Sequence, residues 1–370
     1  MNIAIAGVIS KPIVESPFGG TEAFTYLLIK GLVELGHNVT LYCGKGSKTY
    51  AQNHIFICDP KSATIVSSNV EFIYPYTLLE IKKILIDTKT NRYDILHVNF
   101  LKTFMLSYFS SEIPLPILHT IHRDFFELQE FCDLYNTIGI GKNENFCFVS
   151  KNALRKSLFK KNVHVVYNGI DIDKYYPSNK KAYPNYLWLS RIDPLKGPHV
   201  AIQAASKLGI KLILSGDIDR AKYQTFFDSS IKPLLNNRMQ YEAALGFDRK
   251  LELYQTAKAF IFPIQWEEPF GLVIVEALSC GTPVITFRRG AMSELITDGE
   301  NGFLVDPERG ELGIIDAIKK IESLPEKEYE QMRQNCRASV VKKFSYKTMA
   351  ANYISLYEKL IKESRVSTKT

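Results

Sequence analysis

Glu268 and Glu276 stand either side of a seven-residue run, Pro269-Phe-Gly-Leu-Val-Ile-Val275. The run ahead of them, Lys258-Ala-Phe-Ile-Phe-Pro263, reads as a buried strand, and the residues from Gly271 suit a helix. Strand, loop and glycine-opened helix make an anion site, because the first N–H groups of a helix lack partners and carry its positive dipole end. Glu268 would then sit in the loop before the helix, and Glu276 would lie roughly 8 Å deeper at 1.5 Å per residue. One carboxylate reaches what is joined to one side of a phosphate; the other reaches a group on the far side, such as a ribose diol. A sugar–diphosphate–nucleoside has that shape. Arg191 and Lys196, in Ser190-Arg-Ile-Asp-Pro-Leu-Lys-Gly197, follow a strand-like run at 186–190 and so share one strand-end loop. Arg grips a diphosphate bidentately and Lys acts as a point charge, which would stabilise charge building up on a departing diphosphate. A solvated loop would also carry two exposed cations, so it is their company with Glu268 and Glu276 that gives them weight.

Other motifs carry less. In Phe18-Gly19-Gly20-Thr21, the two glycines at a helix start let backbone approach a phosphate, although a plain tight turn looks the same. Three glycines at the offsets of a dinucleotide fingerprint are absent, since Gly7 is followed by Val-Ile-Ser-Lys-Pro. Gly44-Lys-Gly-Ser47 lacks the upstream glycine of a P-loop. His119 and His122 are three apart on an extended run and point to opposite faces, which disfavours a shared metal. Asp171-Ile-Asp173 and Asp217-Ile-Asp219 match a short diphosphate-metal pattern that arises often by chance; both read as structural, and no metal is expected. A basic helix over 151–161, with Leu154, Leu158 and Phe159 on one stripe, could touch anionic lipid, but a solvated face over a core stripe is the commoner meaning. Phe125, Phe126, Phe131 and Tyr135 could stack on a sugar or ring system, or simply pack under a loop.

The elements that would position these groups repeat in two halves. The first has strands at 2–8, 39–43, 93–99, 115–121, 145–149 and 163–167, with a helix over 21–35 ended by Gly36. The turn-rich stretch 168–184 reads as a linker. The second half has strands at 186–190, 211–214, 240–243, 259–262, 283–287 and 302–305, alternating with helices at 198–208, 221–235, 248–257, 271–280 and 311–322. Such alternation implies α/β folding with parallel sheets covered on both faces and ligands beyond the carboxyl ends of the strands. The expected organisation is 1–167 as an N-terminal acceptor-side Rossmann-like domain and 185–345 as a C-terminal nucleotide-sugar-binding one, with 346–370 returning to the first. At 370 residues the chain has room for both. The charge of +7 is spread, with seventeen basic against fourteen acidic residues before position 166, so nucleic-acid binding is not suggested. No apolar run is long enough for a membrane span. The opening Met1-Asn-Ile-Ala-Ile-Ala-Gly7 lacks the basic leader of a signal peptide. Six scattered cysteines with no metal spacing fit reduced thiols. The expectation is a cytoplasmic protein, with at most weak peripheral contact at the inner face of the membrane.

The motifs, in order, resemble the retaining glycosyltransferases of family 4, which have the two-domain GT-B fold. The resemblance rests on GGTE at 19–22, HTIH at 119–122, YNGID at 167–171, SRIDPLKG at 190–197 and EEPFGLVIVEALSCGTPVITF at 267–287. It covers essentially the whole length. WEEPFGLVIVEAL with FRRGAMSELI is similar to a bacterial glucosyltransferase-like subgroup. The resemblance implies that Gly20, next to Gly19, lies against the donor diphosphate and that Arg191 and Lys196 bind the phosphates. It implies that Glu268 contacts the donor sugar, that backbone at Phe270, Gly271, Leu272 and Val273 helps hold sugar and phosphate, and that Glu276 bonds the ribose hydroxyls. His122 would face the donor sugar from the first domain. The loop Ser215-Gly-Asp-Ile-Asp219 departs from the commoner Gly-any-Gly. No cofactor is implied; the donor is a co-substrate, expected to be UDP-glucose, and the acceptor is a small molecule, glycan or lipid-linked hydroxyl. The alternatives are GDP-mannose as donor, a nucleotide-sugar epimerase on the same fold, and an inactive GT-B partner subunit.

Overall fold

The structure is a computed structural model describing residues 1–15, 19–59, 70–90, 92–99, 104–122, 133, 137, 139–157, 159–178, 184–243 and 245–367. It divides into two compact units: Met1–Gly169 with Tyr346–Thr370, and Ile170–Ser345. The break therefore falls at Gly169. Residues 170–178 are not a free linker but part of the second unit, where the Tyr175 ring packs on Phe247 and Tyr254. The Tyr175 carbonyl accepts hydrogen bonds from Ser279 and Arg337, both at 2.6 Å.

The first unit is built on a seven-stranded parallel sheet in the order β3-β2-β1-β4-β5-β6-β7. The strands are β1 Asn2–Ala6, β2 Asn38–Gly44, β3 Asn53–Cys58, β4 Ile95–Val98, β5 Ile117–Ile121, β6 Glu144–Phe148 and β7 Val163–Val165. β1, β4 and β5 are apolar along nearly their whole length because both faces of the sheet are covered. The terminal helix Tyr346–Ser367 packs on helix Gly20–Glu34 in this unit. It buries Tyr346, Met349, Tyr353, Leu356, Tyr357 and Leu360, one stripe at helical spacing, each contributing roughly 1.5–3 kcal/mol. The tyrosine hydroxyls are satisfied inside: Tyr357 bonds Nδ1 of His97, and Tyr353 bonds Thr120 at 3.1 Å.

Three elements differ from expectation here. β3 and helix Val70–Thr90 carry no clear pattern in the sequence, because β3 is an edge strand and the helix has apolar residues on both faces with Pro75 inside. The basic helix is only Lys151–Lys156: Ser157 turns to extended backbone and its hydroxyl accepts from the Phe159 N–H at 3.0 Å, which stops it. Leu158, Phe18 and the aromatic side chains of 125–135 lie outside the described residues.

The second unit has a six-stranded parallel sheet, β10-β9-β8-β11-β12-β13. Its strands are β8 Asn185–Leu189, β9 Lys211–Ser215, β10 Met239–Glu242, β11 Phe260–Phe262, β12 Val284–Phe287 and β13 Gly302–Val305, each within about a residue of its predicted place. The order reverses direction between β8 and β11, the place where a doubly wound sheet opens a crevice at its carboxyl edge.

Candidate active site

The residues singled out in the second unit gather at that crevice. After β8 the chain passes Ser190 and Arg191 into a 3-10 turn, Pro194–Lys196. Asp193, buried, caps the turn by accepting the Leu195 N–H at 2.9 Å, and its other oxygen pairs with Arg191 at 3.2 Å. The Arg191 side chain remains 60% exposed, so its guanidinium has donors to offer a ligand. The Lys196 carbonyl accepts from the buried Trp188 indole at 3.1 Å, which fixes the turn to the strand beneath.

After β11 the loop 263–271 carries Glu268. Its carboxylate receives two donors, the Lys196 ammonium and the Trp266 indole N–H, the latter at 3.0 Å. Lys196 also lies over the Trp266 ring, 4.8 Å from its centroid. Both charges are largely withdrawn from water, at 16% and 13% side-chain exposure, where an unpaired charge would be costly. The backbone of Glu268 is held from the next strand end: Ala291 N–H donates to its carbonyl at 2.9 Å, and a Cβ on Gly290 (φ +56°) would stand 2.2 Å from that carbonyl oxygen. Only glycine permits this approach. Helix Leu272–Ser279 then starts from Gly271 in the left-handed conformation with no side chain capping its free amides, so the N–H groups of Leu272 and Val273 precede its first internal bond.

Glu276 sits a little over one turn along that helix, almost buried. Its Oε2 accepts from Lys250 at 2.8 Å and from the Tyr254 hydroxyl at 3.0 Å, both from helix Phe247–Thr256. Lys250 also reaches the Tyr175 hydroxyl at 3.0 Å. Burial, then the nearby Glu276 carboxylate, pushes both phenols far above their ordinary range, so they stay neutral donors. Lys250, Tyr254, Tyr175 and Trp266 were not read from the sequence. Lys250 and Tyr254 are four apart on one helix and Trp266 is two before Glu268, spacings that hint at shared faces, but only the fold brings Tyr175 to them.

Gly216 answers the departure at 215–219. With φ +147° and a notional Cβ only 1.7 Å from the Ser190 carbonyl, it lets the loop after β9 press against the loop after β8. Asp217 and Asp219 lie in that loop, and among the described residues no three metal-ligating side chains cluster.

The first unit places the other candidates at its own strand ends. Gly20 opens helix Gly20–Glu34, but the Glu22 carboxylate lies beside Gly19, where a Cβ would fall 2.0 Å from it. The glycine makes room for that side chain, so an approaching anion would meet a carboxylate there. His119 lies on β5 with its Nε2 3.0 Å from Glu144 and its ring stacked on Phe146; His122 instead packs edge-on against Phe24 at 4.5 Å. The two therefore serve different clusters. Burial lowers the His122 imidazole to about 3, and its sealed Nε2 has no partner. Asn99, just past β4, is likewise buried with its amide unpartnered.

Comparison with known proteins agrees with this architecture. The model described as "Glycosyl transferases group 1" matches residues 172–339 and that described as "Glycosyltransferase Family 4" matches 18–174. The chain belongs to the family-4 type of glycosyltransferase with the GT-B fold. Among curated relatives it is 22% identical to spore coat protein SA of Bacillus subtilis over 74% of this chain and 80% of that protein. It is 29% identical to D-inositol 3-phosphate glycosyltransferase of Mycolicibacterium smegmatis, over 39% of this chain and only 36% of that enzyme. Among solved structures, sucrose-phosphate synthase from Thermosynechococcus elongatus superposes with a TM-score of 0.81 at 19% identity, covering 98% of this chain and 99% of that one. HepE of Anabaena, solved in complex with UDP and glucose, gives 0.71 at 20%, covering 97% and 100%. No described helix is long and apolar enough to cross a membrane.

Proposed function

We propose that the protein is a retaining hexosyltransferase that moves glucose from UDP-glucose to a hydroxyl acceptor without a metal ion. The observation that carries this reading is the pair of withdrawn ion pairs, Lys196–Glu268 and Lys250–Glu276, either side of the open start of helix Leu272–Ser279. Lys196 and Glu268 are bonded to each other. When the diphosphate arrives, Lys196 turns to it with Arg191 and the free amides of Leu272 and Val273, and Glu268 is released to accept a hydroxyl of the sugar. Glu276, steadied by Lys250 and Tyr254, accepts from the ribose diol. The C1–O bond to the β-phosphate breaks with its electron pair leaving on the phosphate oxygen, and that charge is what the cations and amides stabilise. The acceptor oxygen bonds to C1 on the same face, and its proton passes to the departing phosphate oxygen. Glu268 acts here as a positioning carboxylate and forms no covalent intermediate.

The test is release of nucleoside diphosphate from UDP-, GDP- and ADP-sugars, with and without EDTA, and the anomeric configuration of the product by NMR. Turnover of UDP-glucose that survives EDTA and keeps the α configuration is expected. Glu268→Ala and Lys196→Ala should each lose most turnover while melting as folded proteins. Full activity in either would remove the motif from the mechanism, and a GDP-mannose preference would replace the donor.

A further inference from the structure

Helix Val70–Thr90 has an unusual outer face. Its inner face, including Thr77, Glu80, Ile81, Ile84 and Thr88, is buried in the first unit as a helix on a sheet should be. The outer face ought to be polar. Instead Tyr74, Leu78, Leu79 and Ile86 are 38–51% exposed on it, and Lys82 and Lys83 are interleaved with them. At 100° per residue these six positions share about half the helix circumference. From Tyr74 to Thr90 no acidic residue is exposed: Glu80 is buried inward, and Asp87 is engaged by the Tyr42 hydroxyl at 3.0 Å. Beside this face, helix Phe104–Ser107 and the turn after it bring up Tyr108, 56% exposed, to form an apolar groove with Tyr74, Leu78, Met105 and Phe109.

We infer that this face docks on a bilayer surface containing anionic lipid. Apolar side chains enter the headgroup–acyl boundary, Tyr74 and Tyr108 sit at the polar level, and Lys82 and Lys83 extend their stems to reach lipid phosphates. Charge selects this occupant over a second copy of the chain. A two-fold interface through this helix would bring the same two lysines against their own counterparts, and the exposed Glu112 carboxylate beside the face is already paired with Lys89 at 3.2 Å. The basic helix Lys151–Lys156 is a weaker candidate, being short and showing no exposed large apolar residue. The inference is independent of the donor and of the reaction.

The experiment is sedimentation of the full chain with vesicles of phosphatidylcholine alone or with about one-third phosphatidylglycerol, at low and moderate salt. Binding to the anionic vesicles is expected, weakened by salt and roughly tenfold or more weaker on the zwitterionic ones. Leu78→Ser with Leu79→Ser should cut binding about tenfold without lowering the melting temperature, since both side chains are already exposed. Lys82→Glu with Lys83→Glu should abolish the preference for anionic lipid, while Lys151→Glu with Lys156→Glu should leave it intact. Failure of the wild type to sediment with anionic vesicles would overturn the inference, as would binding that ignores the changes on helix Val70–Thr90. A dimer in light scattering that the Leu78→Ser, Leu79→Ser protein loses would assign the face to a second copy instead.

Discussion

The two units share a plan, a parallel sheet with candidate residues at the carboxyl edge, yet they treat polarity in opposite ways. In the second unit the withdrawn groups at that edge are ionic and paired, Lys196 with Glu268 and Lys250 with Glu276, while buried Asp193 pairs with the exposed Arg191. In the first unit Glu144 is paired with His119, but other withdrawn groups are neutral and several lack partners. His122 and His97 are held uncharged by burial, Asn99 has a free amide, and Glu80, further back on its helix, is buried with both oxygens unpartnered. The difference fits a division of labour. Cations and carboxylates poised in pairs can exchange partners with a charged group, whereas neutral donors and acceptors suit uncharged hydroxyls.

The sharpest way to break this contrast is a double-mutant cycle on the first ion pair. Glu268→Ala should lower the transfer rate on the order of 10³-fold, in the range of removing one stabilising group from a withdrawn site. Lys196→Ala should do much the same, and the double variant should be little worse than either, because each residue acts through the other's release. Independent, multiplying losses would mean that the pair is only a structural bridge. The second pair should respond differently. Lys250→Met leaves Glu276 withdrawn with only hydroxyl partners, so a loss of about 1–3 kcal/mol in stability and a tenfold or greater loss of nucleotide affinity are expected. Calorimetry on the folded variant separates the two effects; unchanged affinity would detach Glu276 from the ribose.

The first unit is tested by pH. Because the folded His122 titrates near 3, against about 6.5 for a free imidazole, both states are neutral above pH 6.5. As pH falls from 6.5 towards 3 only the unfolded chain takes up the proton, so stability should fall by about 1.4 kcal/mol per pH unit for each such imidazole. His122→Leu should flatten that slope in denaturant titrations, and an unchanged slope would contradict the burial assigned to it. The smallest expected effect has the opposite sign. Burial raises the Glu80 carboxyl well above its ordinary range, so the folded state is favoured at low pH and loses that advantage as pH rises from the unfolded value towards the folded one. Glu80→Gln should therefore stabilise the protein at pH 7 and lose that advantage as pH falls towards 4. A destabilised variant at neutral pH would show that the ionised carboxylate has a partner after all.

Much of the second unit was legible because its signals are local. Apolar runs of strand length, the helix start at Gly271, and the spacing of Glu268 and Glu276 lie on consecutive elements, and the structure keeps them there. What was not legible is contact between elements distant in the chain. Tyr175 reaches Glu276's neighbours from a stretch that looks like a linker, since tyrosine among turn-formers gives no period. In the first unit β3 and helix Val70–Thr90 escaped for a related reason. An edge strand buries one side only in part, and a helix apolar on both faces has no single stripe to detect.

The most direct test of the central claim is calorimetric titration of UDP and UDP-glucose into the wild type, Glu268→Ala and Glu276→Ala proteins. The account predicts one site in the wild type. Glu276→Ala should weaken both ligands alike, and Glu268→Ala should remove only the advantage of UDP-glucose over UDP. Wild-type affinity for both ligands in the two variants, or no binding of any nucleotide by the wild type, would contradict it.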